Sequence, residues 1–160
     1  MLVVNGNAST LPAIINEMPF LTWIHSTYAG VDHVLCPEIV DNPDIILTNA
    51  KGVFSSSLAE YAMLSCLHFA KDLPRMIQSK SEKKWDKFKV TELRGTTMGI
   101  IGYGDIGRAC ARLAKSFNMK TIGLRRNPDL SEHDRLVDEV SFYPVNIAIR
   151  SDLLLFLDCG

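Results

Sequence analysis

The stretch Thr97-Met-Gly-Ile-Ile-Gly-Tyr-Gly-Asp-Ile-Gly107 constrains this chain more than any other. Thr97 to Ile101 is a short, mostly apolar run with the makeup of a buried strand. It leads straight into the G-x-G-x-x-G spacing of Gly102, Gly104 and Gly107. Ile106, Cys110, Leu113, Ala114 and Phe117 then recur on one face of a predicted helix, and Thr121 to Leu124 reads as a second, parallel strand. Gly102 permits the tight turn out of the strand, Gly104 leaves the backbone open to close approach, and Gly107 lets helix and strand pack tightly. Free amides at the helix start, at the positive end of its dipole, make a seat for an anion. In this strand–loop–helix–strand context the expected anion is the pyrophosphate of a dinucleotide. The predicted cofactor-binding residues are therefore Gly102, Tyr103, Gly104, Asp105, Ile106 and Gly107.

The end of the second strand bears on which dinucleotide. An acid about twenty residues past the first glycine usually holds the ribose hydroxyls and repels a 2′-phosphate. Here Gly123-Leu-Arg-Arg-Asn-Pro128 offers no acid but two arginines, Arg125 and Arg126. A guanidinium pairs with a phosphate through two parallel hydrogen bonds. The expected cofactor is NAD(P), leaning to NADPH; the alternative is that both arginines are solvated loop charges.

Elsewhere the chain alternates short strands and helices. Strands are expected at Leu2–Asn5, Leu21–His25 and Ile45–Thr48, and a helix at Leu11–Met18. That alternation predicts an α/β fold with a parallel sheet. A long helix is expected over 57–73, opened by a capping box between Ser57 and Glu60. Leu58, Ala62, Cys66 and Phe69 form one apolar stripe, and Ala59, Met63, Leu67 and Ala70 an adjacent one, which predicts burial between layers or domains. Pro74 breaks this helix or starts another, and a polar arm, Ser79 to Arg94, leads to the glycine loop.

Composition excludes several classes. Of the 160 residues 47% are hydrophobic and 22% charged, which suits a packed core, and the net charge of -1 argues against bulk binding to nucleic acid or an anionic membrane. The basic stretch Lys80 to Lys89 is interrupted by Glu82 and Asp86 and reads as a solvated arm. None of Cys36, Cys66, Cys110 and Cys159 forms a C-x-x-C pair, so no metal site is expected; a reducing, cytoplasmic setting is, with an organelle as the open alternative. No apolar run is long enough to span a bilayer.

Three stretches together resemble the D-isomer-specific 2-hydroxyacid dehydrogenase family, which includes hydroxypyruvate, glyoxylate and phosphoglycerate dehydrogenases. Leu21-Thr-Trp-Ile-His-Ser-Thr-Tyr-Ala-Gly-Val-Asp-His33 is similar to the family's substrate-domain loop, and Leu47 to Tyr61 to its crossover into the cofactor domain. Glu92 to Gly107 is similar to its nucleotide motif. The resemblance implies a Rossmann-type cofactor domain, incomplete here, over 55–160, and part of a flavodoxin-like substrate domain over 1–54. It implies that Tyr28, Ala29 and Gly30 hold the substrate carboxylate, mainly through backbone amides. The family's catalytic Arg, Glu and His would lie beyond Gly160, so the chain is expected to be a truncated member with no catalytic residue of its own and no turnover.

Ser151 to Leu157 resembles the family's fourth cofactor-domain strand. The preceding Ser141–Arg150, where the family has a helix, carries Pro144 and several β-branched residues. Of the four histidines none matches the family's catalytic His; His25 and His33 flank the substrate loop, and His33, beside Asp32, is the least implausible proton carrier. Implied partners are a small 2-oxo or 2-hydroxy acid, with a second copy or a full-length relative docking through the long helix. The competing reading is a nucleotide-binding or dimerising fragment without turnover.

Overall fold

The computed structural model describes residues 1–5, 9–131, 133–141 and 151–156. It divides into two compact units, Met1–Val53 and a second that begins at Phe54. The described strands pair in parallel throughout.

The first unit runs β1 (Leu2–Val4), α1 (Leu11–Asn16), β2 (Trp23–Ser26), α2 (Pro37–Val40) and β3 (Ile46–Asn49), with sheet order β1-β2-β3. Each expected element is present within two residues of its place. Helix α1 stops at Asn16 instead of Met18 because the amides of Glu17 and Met18 turn back to Ile14 and Ile15, tightening the chain before Pro19. Val4 and Ile24 bury one face of the sheet against Leu11, Ile15, Val34 and Ile39. Val3, Trp23 and Ile46 lie on the opposite face and are exposed; there Trp23 Nε1 donates to Thr48 Oγ1 at 2.8 Å.

The second unit contains α3 (Ser55–Ala70), α4 (Leu73–Ser81), β4 (Thr97–Ile101), α5 (Asp105–Ser116), β5 (Lys120–Leu124), a 3-10 turn at Pro128–Ser131, β6 (Glu139–Ser141) and β7 (Leu153–Phe156). Its sheet order is β6-β5-β4-β7. That is the 3-2-1-4 order of a doubly wound dinucleotide fold, in which the chain reverses direction beside its first strand. The central strands β4 and β5 carry Met98, Ile100, Thr121 and Ile122 into the interior, as expected of strands covered on both faces. The segment 142–150 and Leu157 lie outside the described residues.

Helix α3 departs from expectation at both ends. The Phe54 carbonyl already accepts from the Leu58 amide at 3.0 Å, so the helix opens at Ser55 without a side-chain cap and Ser57 falls inside it. The Ser57–Glu60 capping box therefore does not form. At the far end Asp72 adopts φ 50°, and Pro74 sits in the first turn of α4, where its fixed φ suits a helix start. The long helix thus ends at Ala70, not at residue 73. Only one face of α3 is buried: Ala59, Ala62 and Met63, with Cys66 and Ala70 beside them, pack with Cys110, Ala111 and Ala114 of α5 in one core. Leu58 and Phe69, expected inside, are exposed. Small residues on both helices let the axes approach closely. Burial pushes the Cys110 thiol up to about 11, which keeps it an unreactive core residue. No helix among the described residues is long and apolar enough to cross a membrane.

The closest packing joins α5 to the strand before it. A Cβ at Gly107 would stand 2.6 Å from the Gly102 carbonyl oxygen and 3.1 Å from Ile100 Cγ2. A Cβ at Gly123 on β5 would meet the Tyr103 ring at 2.8 Å. Alanine in a helix gains up to about 1 kcal/mol over glycine from propensity alone. Overpacking against fixed backbone costs about 1–3 kcal/mol. Gly107→Ala is therefore expected to destabilise the chain by about 1–2 kcal/mol net in urea denaturation; an unchanged or raised midpoint would contradict this packing.

Candidate nucleotide site

Strand β4 ends at Ile101, and the chain turns through Gly102 at φ +98°, a conformation costly for any residue with a Cβ. The amides of Gly102 and Tyr103 both donate to the Leu124 carbonyl, at 3.3 and 2.8 Å, strapping the loop to the end of β5. Gly104 N donates to Gly102 O at 2.9 Å, and Gly104 itself is the N-cap of α5. Among the described residues the amides of Asp105, Ile106 and Gly107 have no backbone acceptor; the first helical bond runs from Arg108 N to Gly104 O. Three donors thus stand free at the positive end of a twelve-residue helix. A Cβ on Gly104 would meet nothing within 4 Å, so glycine there leaves open space.

A cavity of about 410 Å³ lies at this point, walled by Gly104, Asp105 and Arg108 on one side and Arg125, Asp129, His133 and Asp134 on the other. The structure thus brings Gly104, Asp105 and Arg125 to one cavity. Ile106 and Gly107 are not in the cavity wall; their amides have no backbone acceptor among the described residues, and the Ile106 side chain packs on the core. Tyr103 is placed differently. Its ring is 1% exposed and its amide is already bonded to Leu124, so it braces the loop from within. Arg126 is exposed and outside the cavity wall.

Four wall residues were not anticipated. Asp134 accepts from Arg108 Nε at 2.7 Å and from the Tyr103 hydroxyl at 3.2 Å on the same oxygen, tying the first turn of α5 to the segment after β5. Burial pushes the Asp134 carboxyl up, but the Leu136 amide and the Arg108 guanidinium outweigh it and hold the group below the usual carboxylate range. Burial and the neighbouring Asp134 charge raise the Tyr103 phenol, which stays a neutral donor. Arg125 Nη1 donates to Ser131 Oγ at 2.9 Å, which holds it toward the 3-10 turn. Asp129 stands in that turn, one residue past Pro128, so the wall does contain an acid close behind the arginines. Arg108 was legible as a cation in the first turn of the helix that begins at Asp105. Asp129 sits in a short 3-10 turn and His133 and Asp134 in irregular backbone, where no periodicity points to them.

The loop matched to substrate binding lies in the first unit. Tyr28 N donates to Ser26 Oγ at 3.3 Å, and Tyr28 O accepts from Ala50 N at 3.1 Å. Asn49 Nδ2 donates to Ala29 O at 2.7 Å. These bonds fix the loop by the Tyr28 amide and the Tyr28 and Ala29 carbonyls and leave the amides of Ala29 and Gly30 without an acceptor among the described residues. The Tyr28 ring meets the His33 ring edge-on at 5.0 Å, and His33 Nε2 is buried with no hydrogen-bond partner.

Comparison with known proteins agrees with this geometry. Residues 63–156 match the NAD binding domain of the D-isomer specific 2-hydroxyacid dehydrogenases. A D-3-phosphoglycerate dehydrogenase of Rattus norvegicus is 36% identical over 126 residues, covering 76% of this chain and 23% of that protein. A hydroxypyruvate reductase of Thermotoga maritima is 33% identical over 142 residues, covering 88% of this chain and 45% of that one. The crystal structure of a glycerate dehydrogenase related protein from Thermoplasma acidophilum superposes with a TM-score of 0.73 at 32% identity, over 87% of this chain and 47% of that one. The chain thus spans less than half the length of each of these relatives. By the matched domain, the strand order and the glycine loop, this chain belongs to the D-isomer specific 2-hydroxyacid dehydrogenase family and carries its NAD-binding domain.

Proposed function

We propose that the chain is the nucleotide-holding part of an oxidoreductase that interconverts a 2-hydroxy acid and a 2-oxo acid. One observation carries the reading: three unpaired amides at the start of α5 stand beside a glycine whose Cβ direction is open. A diphosphate takes such a place without displacing any protein group. Asp105, Ile106 and Gly107 would hold it through their amides, and Arg125 would face the adenosine ribose. When bound, the nicotinamide supplies the hydride carrier; the protein supplies position and electrostatics. The Tyr28-Ala29-Gly30 loop is the proposed seat of the substrate carboxylate, since two free amides next to each other suit an anion.

NADPH is the proposed preference, carried by Arg125 alone, because Arg126 is not in the wall. A cytoplasmic setting is proposed as well; Cys36, Cys66 and Cys110 are free thiols. The partner proposed is a second copy of the chain, meeting the outer face of α3. There Leu58, Tyr61, Leu64 and Phe69 are 45–75% exposed, opposite the buried Ala59–Ala62–Met63 face. A full-length relative could offer the same helix.

Two measurements test these readings. In a fluorescence titration Gly104→Val should weaken NAD(P)H binding by at least about tenfold, since β-branched bulk fills the phosphate space, while the melting temperature stays within about 2 °C because the site is open. Unchanged affinity would refute the nucleotide site. In sedimentation, the wild-type chain should be dimeric and Tyr61→Glu monomeric; a wild-type monomer at all concentrations would remove the proposed interface.

A further inference from the structure

A second cavity, of about 530 Å³, opens in the first unit at the other end of its sheet from the Tyr28-Ala29-Gly30 loop. Its lining includes Leu21 and Ile45, which precede β2 and β3, whereas that loop follows the last residue of β2. Buried Leu21 and Ile45, with the partly buried Met18, give it an apolar floor. Exposed Pro19, Pro37 and Pro43 form its rim, and their fixed φ angles hold that rim in shape without a ligand. The polar groups come from Asn16, Glu38 and Asp41. A cavity of this size, apolar over most of its floor and polar at a few points, suits a small organic molecule.

The polar groups are acceptors without a cation. Asp41 caps α2 three residues after Glu38, so the two carboxylates fall on one face of that helix. Neither belongs to an ion pair among the described residues. Glu38 Oε2 is buried and has no hydrogen-bond partner. The Cys36 thiol, pushed up by burial and then by the Glu38 carboxylate beside it, stays neutral and cancels no charge. A carboxylate oxygen held out of water without a donor is costly, and a bound cation relieves that cost. The first unit itself supplies little positive charge: five acidic residues, Glu17, Asp32, Glu38, Asp41 and Asp44, stand against one lysine. That lysine, Lys51, follows β3 at the far end of the sheet. An ammonium offers three donors and accepts nothing, which matches two carboxylates and the Asn16 amide oxygen. We infer that this cavity binds a small primary alkylamine, its ammonium held by Glu38, Asp41 and Asn16 and its chain lying on Met18, Leu21 and Ile45. A metal ion matches less well, because it would leave the apolar floor uncovered and among the described residues no group of three or more His, Cys, Asp or Glu could hold one. The inference stands apart from the nucleotide reading, since the lining lies wholly in the first unit.

Amide NMR of the full ¹⁵N-labelled chain, titrated with hexylammonium chloride at low ionic strength, tests this. The amides of Asn16, Met18, Leu21, Glu38 and Ile45 should shift together and saturate, with a dissociation constant on the order of 1 mM. Hexanol, which has the same apolar body and no charge, should bind at least about tenfold more weakly, as should hexylammonium to Glu38→Gln, each lacking one charge-assisted contact. Asp41→Asn, at an exposed position that leaves the fold intact, should weaken binding about two- to fivefold, the smaller effect of a solvated partner. Shifts that stay linear to roughly 20 mM would overturn the site, since they mark non-specific contact. Equal affinity for hexanol, or an unchanged constant in both variants, would overturn the role given to the carboxylates and with it the proposed ligand. Saturable shifts at Tyr28, Ala29 and Gly30 instead of the cavity amides would overturn its placement.

Discussion

Helix α5 can begin where it does because Gly107 has no Cβ. The Gly102 carbonyl oxygen lies 2.6 Å from where that atom would stand, so strand end, turn and helix share one another's van der Waals space. Everything at the site follows from this approach. The turn must fold back within a few residues, which needs the positive φ of Gly102. The helix must open directly over the strand end, which leaves the Asp105, Ile106 and Gly107 amides without a backbone acceptor among the described residues. The buried Tyr103 then takes the space that Gly123 leaves open on the neighbouring strand. Three glycines thus act on geometry in two ways: Gly102 by its dihedral, Gly107 and Gly123 by closeness. Gly104 differs in that nothing of the protein occupies its open side.

The second wall is electrostatic rather than steric. Asp134 gathers Arg108, the Tyr103 hydroxyl and the Leu136 amide, and so joins the start of α5 to backbone thirty residues on. A buried carboxylate with a single partner would be poorly compensated; three donors make it a fixed anchor. Arg125, steered by Ser131, completes the wall at the end of β5. The cavity is consequently lined by charge and backbone rather than by apolar side chains. That suits the phosphate and ribose part of a nucleotide, as does the family to which the chain belongs.

Much of this was legible in the sequence because the signals are periodic or covalent in origin. Thr97–Ile101 and the face Ile106–Cys110–Leu113 follow from strand and helix periods, and the glycine spacing from the turn. Two kinds of feature were not legible. Start points of helices depend on backbone bonding, so the Phe54 carbonyl overrode the Ser57–Glu60 pattern. Apolar stripes do not say which side finds a partner: Leu58 and Phe69 match the pattern of the buried residues but face outward. Side chains from irregular segments are harder still. The stretch Gly123–Pro128 holds no acid while Asp129 stands next to it, and nothing in the order of residues joins Tyr103 to Asp134. Conversely Arg125 and Arg126 are adjacent and chemically identical, and only the fold separates the one in the wall from the one in solvent.

The central claim is that the free amides at the start of α5 receive the pyrophosphate of a nicotinamide nucleotide. Backbone amide NMR of the ¹⁵N-labelled chain, titrated with NADPH, reads those donors one by one. The account predicts that the largest shifts fall on Gly104, Asp105, Ile106 and Gly107, with a second group around Arg125 and His133. Shifts confined to other segments, or none at the four loop amides at saturating nucleotide, would contradict it.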